Sequence, residues 1–325
     1  MKRCVTAIAF FMLTFFVSSW GFQPHKLINL NAIFTLPPNL AIFYKKHSFQ
    51  IREFAVNADK RVYIDPKESP RHFIDLDKIE NTDSLLIPWY KVREKFNEKI
   101  ILSKGIVPWQ IDNSYRQLVK AFYNKDMTRI IKLSADLGHY VGDAHMPLHT
   151  SANHDGQLTD QKGIHSLWES RLPELFVKNY KLNVPEAQYY PDVHKAIWDL
   201  INDTHSLAQP LLDIDKKLRT ATPQDKVFKL DAEGNVMKTR YNTAVFSEDY
   251  AKKLHEQLNG MVESQMKKAI AATASFWYTA WINAGKPDLS DLDAPAVTQR
   301  NYQALQDDLK LFQKGDLFGM KNQND

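Results

Sequence analysis

The stretch His139–Glu169, "HYVGDAHMPLHTSANHDGQLTDQKGIHSLWE", decides how the chain is read. His139 and Asp143 stand four residues apart, as do His165 and Glu169. On a helix that spacing puts two side chains on one face. The first pair closes an apolar pattern from Met127 to Asp143, in which Ile130, Ile131, Leu137, Tyr140 and Val141 recur at helical spacing. His149 follows Pro147, which should end that helix and turn the chain back toward it. Imidazole nitrogens and carboxylate oxygens are the ligands zinc accepts when no thiolate is at hand. A single such pair is common on an ordinary helix surface. Two pairs flanking a histidine point to a metal site. Upstream, His72 and Asp75 lie in "RHFID" and Asp59 in "ADK", plausible surface residues if taken alone.

The rest of the chain fits an all-α protein. Leu167–Phe176 reads as a helix that Pro173 ends or kinks. Asp192–Gln209 reads as another, bounded by Pro191 and Pro210. Ser247–Ala284 carries one continuous stripe through Tyr250, Leu254, Leu258, Met261, Met266, Ile270, Ala274 and Trp277. Residues 226–240 read as strand, turn and strand, a small β-hairpin insertion. No repeat or composition shift divides the chain, so residues 20–290 are expected to form a single multi-helix domain, followed by a polar tail over 291–325.

At the front, Lys2 and Arg3 precede an apolar run from Cys4 to Val17, then Ser18 and Ser19. That run is short for a membrane span. Its flanks resemble a signal peptide over residues 1–19, cut to leave Trp20 first and the protein periplasmic or secreted. An uncut membrane anchor is the competing reading. The only cysteine, Cys4, lies in this leader, so no disulfide framework is expected after it. Composition is that of a soluble globule, with 44% hydrophobic and 25% charged residues. The formal charge of +4 includes Lys2 and Arg3. What remains is too weak to argue for a polyanion surface.

Taken in order, Trp-Gly…His, Ala-Asp, His-Phe-Ile-Asp, His-x3-Asp-x5-His and His-x3-Glu resemble the zinc-dependent phospholipase C and S1/P1 nuclease superfamily, from Trp20 to about Leu175. The resemblance implies that superfamily's all-α domain, a likeness to its phospholipase C branch, a monomer and three zinc ions. Asp59, His72, His139 and Asp143 would hold the first ion, and His149, His165 and Glu169 the second. Trp20, His25 and a second oxygen of Asp143 would hold the third, with Trp20 ligating through its free amine and carbonyl oxygen. Asp65 is close enough to Asp59 to compete for its place. Three cations at close range suit hydrolysis of a phosphodiester by activated water. Asp59 could orient or deprotonate that water as the catalytic carboxylate.

Phe73 and Asp75 match positions that nucleases of this type use to stack and hydrogen-bond a base, or they wall the site. Glu169, where the nuclease branch usually has Asp, and the missing disulfides lean toward a phospholipase C-like phosphodiesterase. A single-strand nuclease is the alternative, and a zinc-binding protein without turnover a second. The substrate is a phospholipid or single-stranded nucleic acid, with no transmembrane segment expected after the leader. His47, His145 and His154 have no ligand counterpart and are expected to be exposed or to sit behind the ligands.

Overall fold

The computed structural model describes residues 22–79, 87–239, 243–292 and 299–315. The chain enters as α1 (Phe22–Ala32), then turns through α2 (Pro38–Lys46), α3 (Ser48–Phe54) and α4 (Asn57–Val62). Next come α5 (Trp89–Lys95), α6 (Glu98–Ser103), α7 (Val107–Tyr123) and α8 (Met127–Asp143). The second half holds α9 (Ile164–Ser166), α10 (Leu172–Phe176), α11 (Val193–His205), α12 (Ala208–Ala221), α13 (Gln224–Val227), α14 (Glu248–Gln257), α15 (Met261–Asn283) and α16 (Gln299–Lys314). The all-α expectation holds.

The expected helix over 127–143 is α8. The Asp126 side chain accepts from Arg129 N at its start, which satisfies one of the free N–H groups of the first turn. Its apolar stripe packs on α7, α1 and α15. The last of these is the scaffold's central rod. Trp277 on α15 is fully buried, stacks on Tyr44 at 4.7 Å and donates from Nε1 to Ser134 O on α8 at 3.0 Å. Small residues on α15 (Ala269, Ala272, Ala274, Ala280) let its neighbours come close. α16 lies on α2 and the short turn after α1, with Phe312 against Phe34 and Lys45 paired to Asp308.

Four expectations need correction. The stripe over 247–284 is two helices, because Asn259 (φ 46°) and Gly260 (φ 80°) take left-handed backbone and end α14. Pro210 does not bound the stretch from Asp192. α11 stops at His205, and Pro210 sits in the first turn of α12, where its missing N–H costs nothing. Pro173 does not stop its helix either. A π-helical turn over Leu167–Arg171 precedes α10, and that wider turn accommodates the ring. The β-hairpin over 226–240 is not formed as a ladder. Its first residues fall in α13, opened by Pro223, and the rest makes only isolated bridges: Phe228 with Phe246, Leu230 with Val236 and Lys238 with Ala244. Leu230, Val236 and Met237 are all exposed, so no buried face fixes a strand register. Arg240 lies outside the described residues.

Candidate metal centre

Every candidate ligand that the structure describes converges on one buried pocket. α8 supplies His139 and Asp143, α1 supplies His25 and α4 supplies Asp59. His72 follows a 3-10 turn over Ser69–Arg71, and His149 lies in a second over Pro147–Thr150. His165 sits in α9, and Glu169 in the π-helical turn after it. Their ligand atoms fall into groups lying within 4.8 Å of one another: His72 with His139 and Asp143; His149 with His165 and Glu169; His25 with Asp59 and His139; and His25 with Asp143 and Glu169. Trp20 lies outside the described residues. Asp65 is not in the pocket; its carboxylate accepts from Lys67 N in a local turn.

Why these residues meet is visible on α8. Gly138 and Gly142 face α1. A Cβ at Gly142 would stand 2.9 Å from His25 Nδ1, and one at Gly138 only 1.9 Å from Asn29 Oδ1. The two glycines therefore let α1 approach until His25 stacks on His139 at 4.0 Å. Gly142→Ala is expected to displace His25 and lower both zinc per chain and turnover, the latter by roughly tenfold or more, with the helical content intact. Unchanged zinc content would show that the close approach has no bearing on the site.

The ring orientations follow a shared device. His139, His149 and His165 donate from Nδ1 to the carbonyls of Ala55, His72 and His154 at 2.8, 2.9 and 2.9 Å. Each thereby presents Nε2 to the pocket, its tautomer set by the backbone bond. His72 does not use this device and turns Nδ1 inward.

The spacing suits a small cation. Around the first group, His72 Nδ1 and His139 Nε2 lie 2.9 and 3.2 Å from Asp143 Oδ2 and 3.1 Å from each other. Asp59 Oδ1 is 3.6 Å from His139 Nε2 and 3.9 Å from His72 Nδ1. A tetrahedron of ligands at zinc bond lengths has edges of about 3.3 Å. In the second group, Glu169 carboxylate oxygens lie 3.6 Å from His149 Nε2 and 2.9 Å from His165 Nε2. His25 Nε2 is 3.4 Å from the other oxygen of Asp143, so that carboxylate faces two groups at once.

Both oxygens of Asp59 and His149 Nε2 are buried without a hydrogen bond. Burying such groups unsatisfied costs about 1–3 kcal/mol each, a cost that a bound cation removes. The donor set therefore fits zinc.

The protonation pattern matches a pocket holding excess acceptor charge. Burial opposes an imidazolium at His72, but Asp143 and Glu68 outweigh it and lift His72 to about 10. At His165 burial is likewise overcome by Glu169, which lifts it to about 9. Burial raises Glu169 itself to about 8, against the pull of His165. Burial also works against a charged Asp143, but the imidazoles of His139 and His149 hold it well below the carboxylate range.

The S1/P1 nuclease family model matches residues 29–272, most of the chain, and spans every candidate ligand from Asp59 to Glu169. The chain belongs to the S1/P1 nuclease family. That family is zinc-dependent and hydrolyses phosphodiester bonds. Among curated proteins no match is found. Trp20 and His25 precede the matched residues.

In this S1/P1 family member, Phe73 and Asp75 share a loop with His72. The loop is bonded to the His149 segment by Ile74 N to His149 O at 2.8 Å and by Asp77, which accepts from Ser151 Oγ and Ala152 N. Phe73 is half-buried. Gly105 lies flat against it, since a Cβ there would come within 2.7 Å of the ring.

Burial, with Asp77 adding, lifts the Asp75 carboxyl to about 7. Well below pH 4 Asp75 is neutral in both states and costs nothing, and at pH 4 the cost is still small. As pH rises from about 4 to about 7 the unfolded state ionises Asp75 while the folded state keeps it protonated, so stability is lost across that window and the loss levels off above it. Asp75→Asn is expected to stabilise the protein at pH 8 by about 1–2 kcal/mol, discounted for solvent screening, and to have little effect at pH 4. Melting curves at the two pH values check this; equal shifts would refute it.

Three residues that matter were not singled out from the sequence: Glu68, Arg61 and Asp136. They pack behind His72 with Tyr140. Glu68 stands four residues before His72, the same spacing that marked the other two pairs. His145 and His47 are buried, not exposed; His145 Nδ1 bonds Val141 O, and neither falls in a ligand group. His154 stands behind the ligands through its carbonyl.

Proposed function

We propose that this chain is a zinc-dependent nuclease of the S1/P1 type acting on single-stranded nucleic acid. The observation that carries it is Phe73 and Asp75 on the loop that presents His72, built rigidly onto the His149 segment. A flexible strand can offer an unstacked base to Phe73 while its phosphate enters the pocket, and a duplex cannot. Stacking of that kind is worth about 1–3 kcal/mol per base.

Three zinc ions are proposed, on the ligand sets expected from the sequence, with Trp20 completing the third set after removal of a leader. Zinc, when bound, would lower the pKa of water and neutralise charge on the phosphate. The chain's own part is positional. Asp59, 9% exposed, is the most open of the ligands, while His25, His72, His139, Asp143 and Glu169 are fully enclosed. Both Asp59 oxygens are enclosed beside His72 and His139, and Asp59 is the carboxylate we place to orient a water or accept its proton. Asp143, shared between two groups, sets their separation.

A phospholipase C-like activity is the second reading, favoured by Glu169 in place of the usual Asp. Zinc-loaded protein should be assayed side by side on single-stranded DNA, RNA and phosphatidylcholine vesicles. Cleavage of the nucleic acids well above the vesicles supports the proposal, the reverse supports the second reading, and zinc content without any turnover defeats both. Phe73→Ala should lower kcat/KM on single-stranded DNA by roughly 10- to 100-fold while sparing a small aryl phosphodiester. Equal losses on both substrates would make Phe73 a wall residue.

A further inference from the structure

We infer that Glu68 is a positioning residue that fixes the tautomer of His72, so that Nδ1 faces the metal pocket and Nε2–H faces away. The inference rests on the metal-centre reading above and adds to it a residue outside the ligand set.

His72 cannot use the device of His139, His149 and His165. Its inward atom is Nδ1, so its outward atom is Nε2, which no backbone carbonyl receives. Nε2 is buried and makes no hydrogen bond to any other group, and Glu68 Oε1 stands 3.6 Å from it. That is an ion-pair distance, and a shift of a few tenths of an ångström makes it a hydrogen bond.

Glu68 is itself fully buried and held on both oxygens. Oε1 accepts from Tyr140 OH and from an Arg61 nitrogen at 3.3 Å, and Oε2 accepts from Arg61 Nε at 3.3 Å and from Arg71 at 2.6 Å. Asp136 takes another Arg61 nitrogen at 3.1 Å. Two acids against two guanidiniums make the cluster neutral, so Glu68 stays ionised with its geometry fixed in advance. An ionised carboxylate accepts and cannot donate. The proton between it and His72 therefore belongs to Nε2, which leaves the Nδ1 lone pair for the metal.

Carboxylate–histidine–metal arrangements of this kind orient the ring and strengthen the ligand. The effect extends further here, because the His72 carbonyl is what orients His149. Glu68 thus bears on both ligand groups without touching either cation.

The test uses the full processed chain loaded with zinc. Zinc affinity is measured by chelator competition for wild type, Glu68→Gln and Glu68→Leu, with a melt on each to establish folding. Nitrogen-15 shifts of the His72 ring are recorded in the wild type, which needs no variant to fold. Expected are a protonated Nε2 and a metal-bound Nδ1 at His72, zinc binding weakened roughly 10- to 100-fold in Glu68→Leu and less in Glu68→Gln, and a kcat loss that excess zinc restores. A metal-bound Nε2 in the wild type, or zinc affinity within twofold of wild type in a folded Glu68→Leu, overturns the inference. Wild type that binds no zinc overturns the metal-centre reading as well.

Discussion

Asp143→Asn is expected to cut phosphodiester hydrolysis by roughly a thousandfold and to lower zinc content at the same time. Asp143 is enclosed by His25, His72, His139 and His149, at 3.4, 2.9, 3.2 and 3.6 Å. Its two oxygens face different groups, so one substitution damages two positions. Asparagine keeps the shape but loses the charge, and it turns an NH2 toward groups that need an acceptor. Loss of a ligand or its support weakens a metal site by about 10–100-fold, and two sites compound that figure. The measurement is kcat at saturating zinc together with zinc per chain. Activity within tenfold of wild type would remove Asp143 from the centre of the account.

Chelation is expected to lower the melting temperature by roughly 8–16 °C. The ligands come from α1, α4, α8, α9 and three turns, many of them far apart in sequence, so a bound cation ties those segments together. An ion present at a thousandfold excess over its Kd adds about 4 kcal/mol to stability. For a chain of this size, each kcal/mol shifts the midpoint by about 2–4 °C. The gap should shrink as pH falls, because protons compete for the ligands, and His165 and Glu169, lifted to about 9 and about 8, take them up early. Melts of protein verified as zinc-free, against the zinc-loaded form, decide the matter. Superimposable curves would mean that the pocket contributes nothing to folding.

The legibility of the sequence differed by element for physical reasons. α8 could be read to its ends because cap, stripe and ligands agree: Asp126 opens it, and His139 and Asp143 close it on one face. The boundary between α14 and α15 was hidden because Leu258, Val262 and Met266 are all buried, so the apolar stripe runs through the break. The Asn259-Gly260 dipeptide was the signal there, a common left-handed pair. The π-helical turn before Pro173 leaves no mark in apolar periodicity, yet it is the turn that carries Glu169. In the pocket, the His139/Asp143 and His165/Glu169 pairs were legible as ligand types from their spacing, whereas Asp59, with Asp65 competing, came only from the family resemblance. Glu68 carried the same spacing before His72, but its partners Arg61, Asp136 and Tyr140 come together only through tertiary packing.

The pocket as a zinc centre is tested most directly by anomalous diffraction at the zinc edge from crystals of the processed, zinc-loaded protein. The account predicts one peak among Asp59, His72, His139 and Asp143, a second among His149, His165 and Glu169, and a third beside His25 and the other oxygen of Asp143. A fully loaded crystal with no anomalous density in this pocket, or with its zinc bound elsewhere, would contradict it.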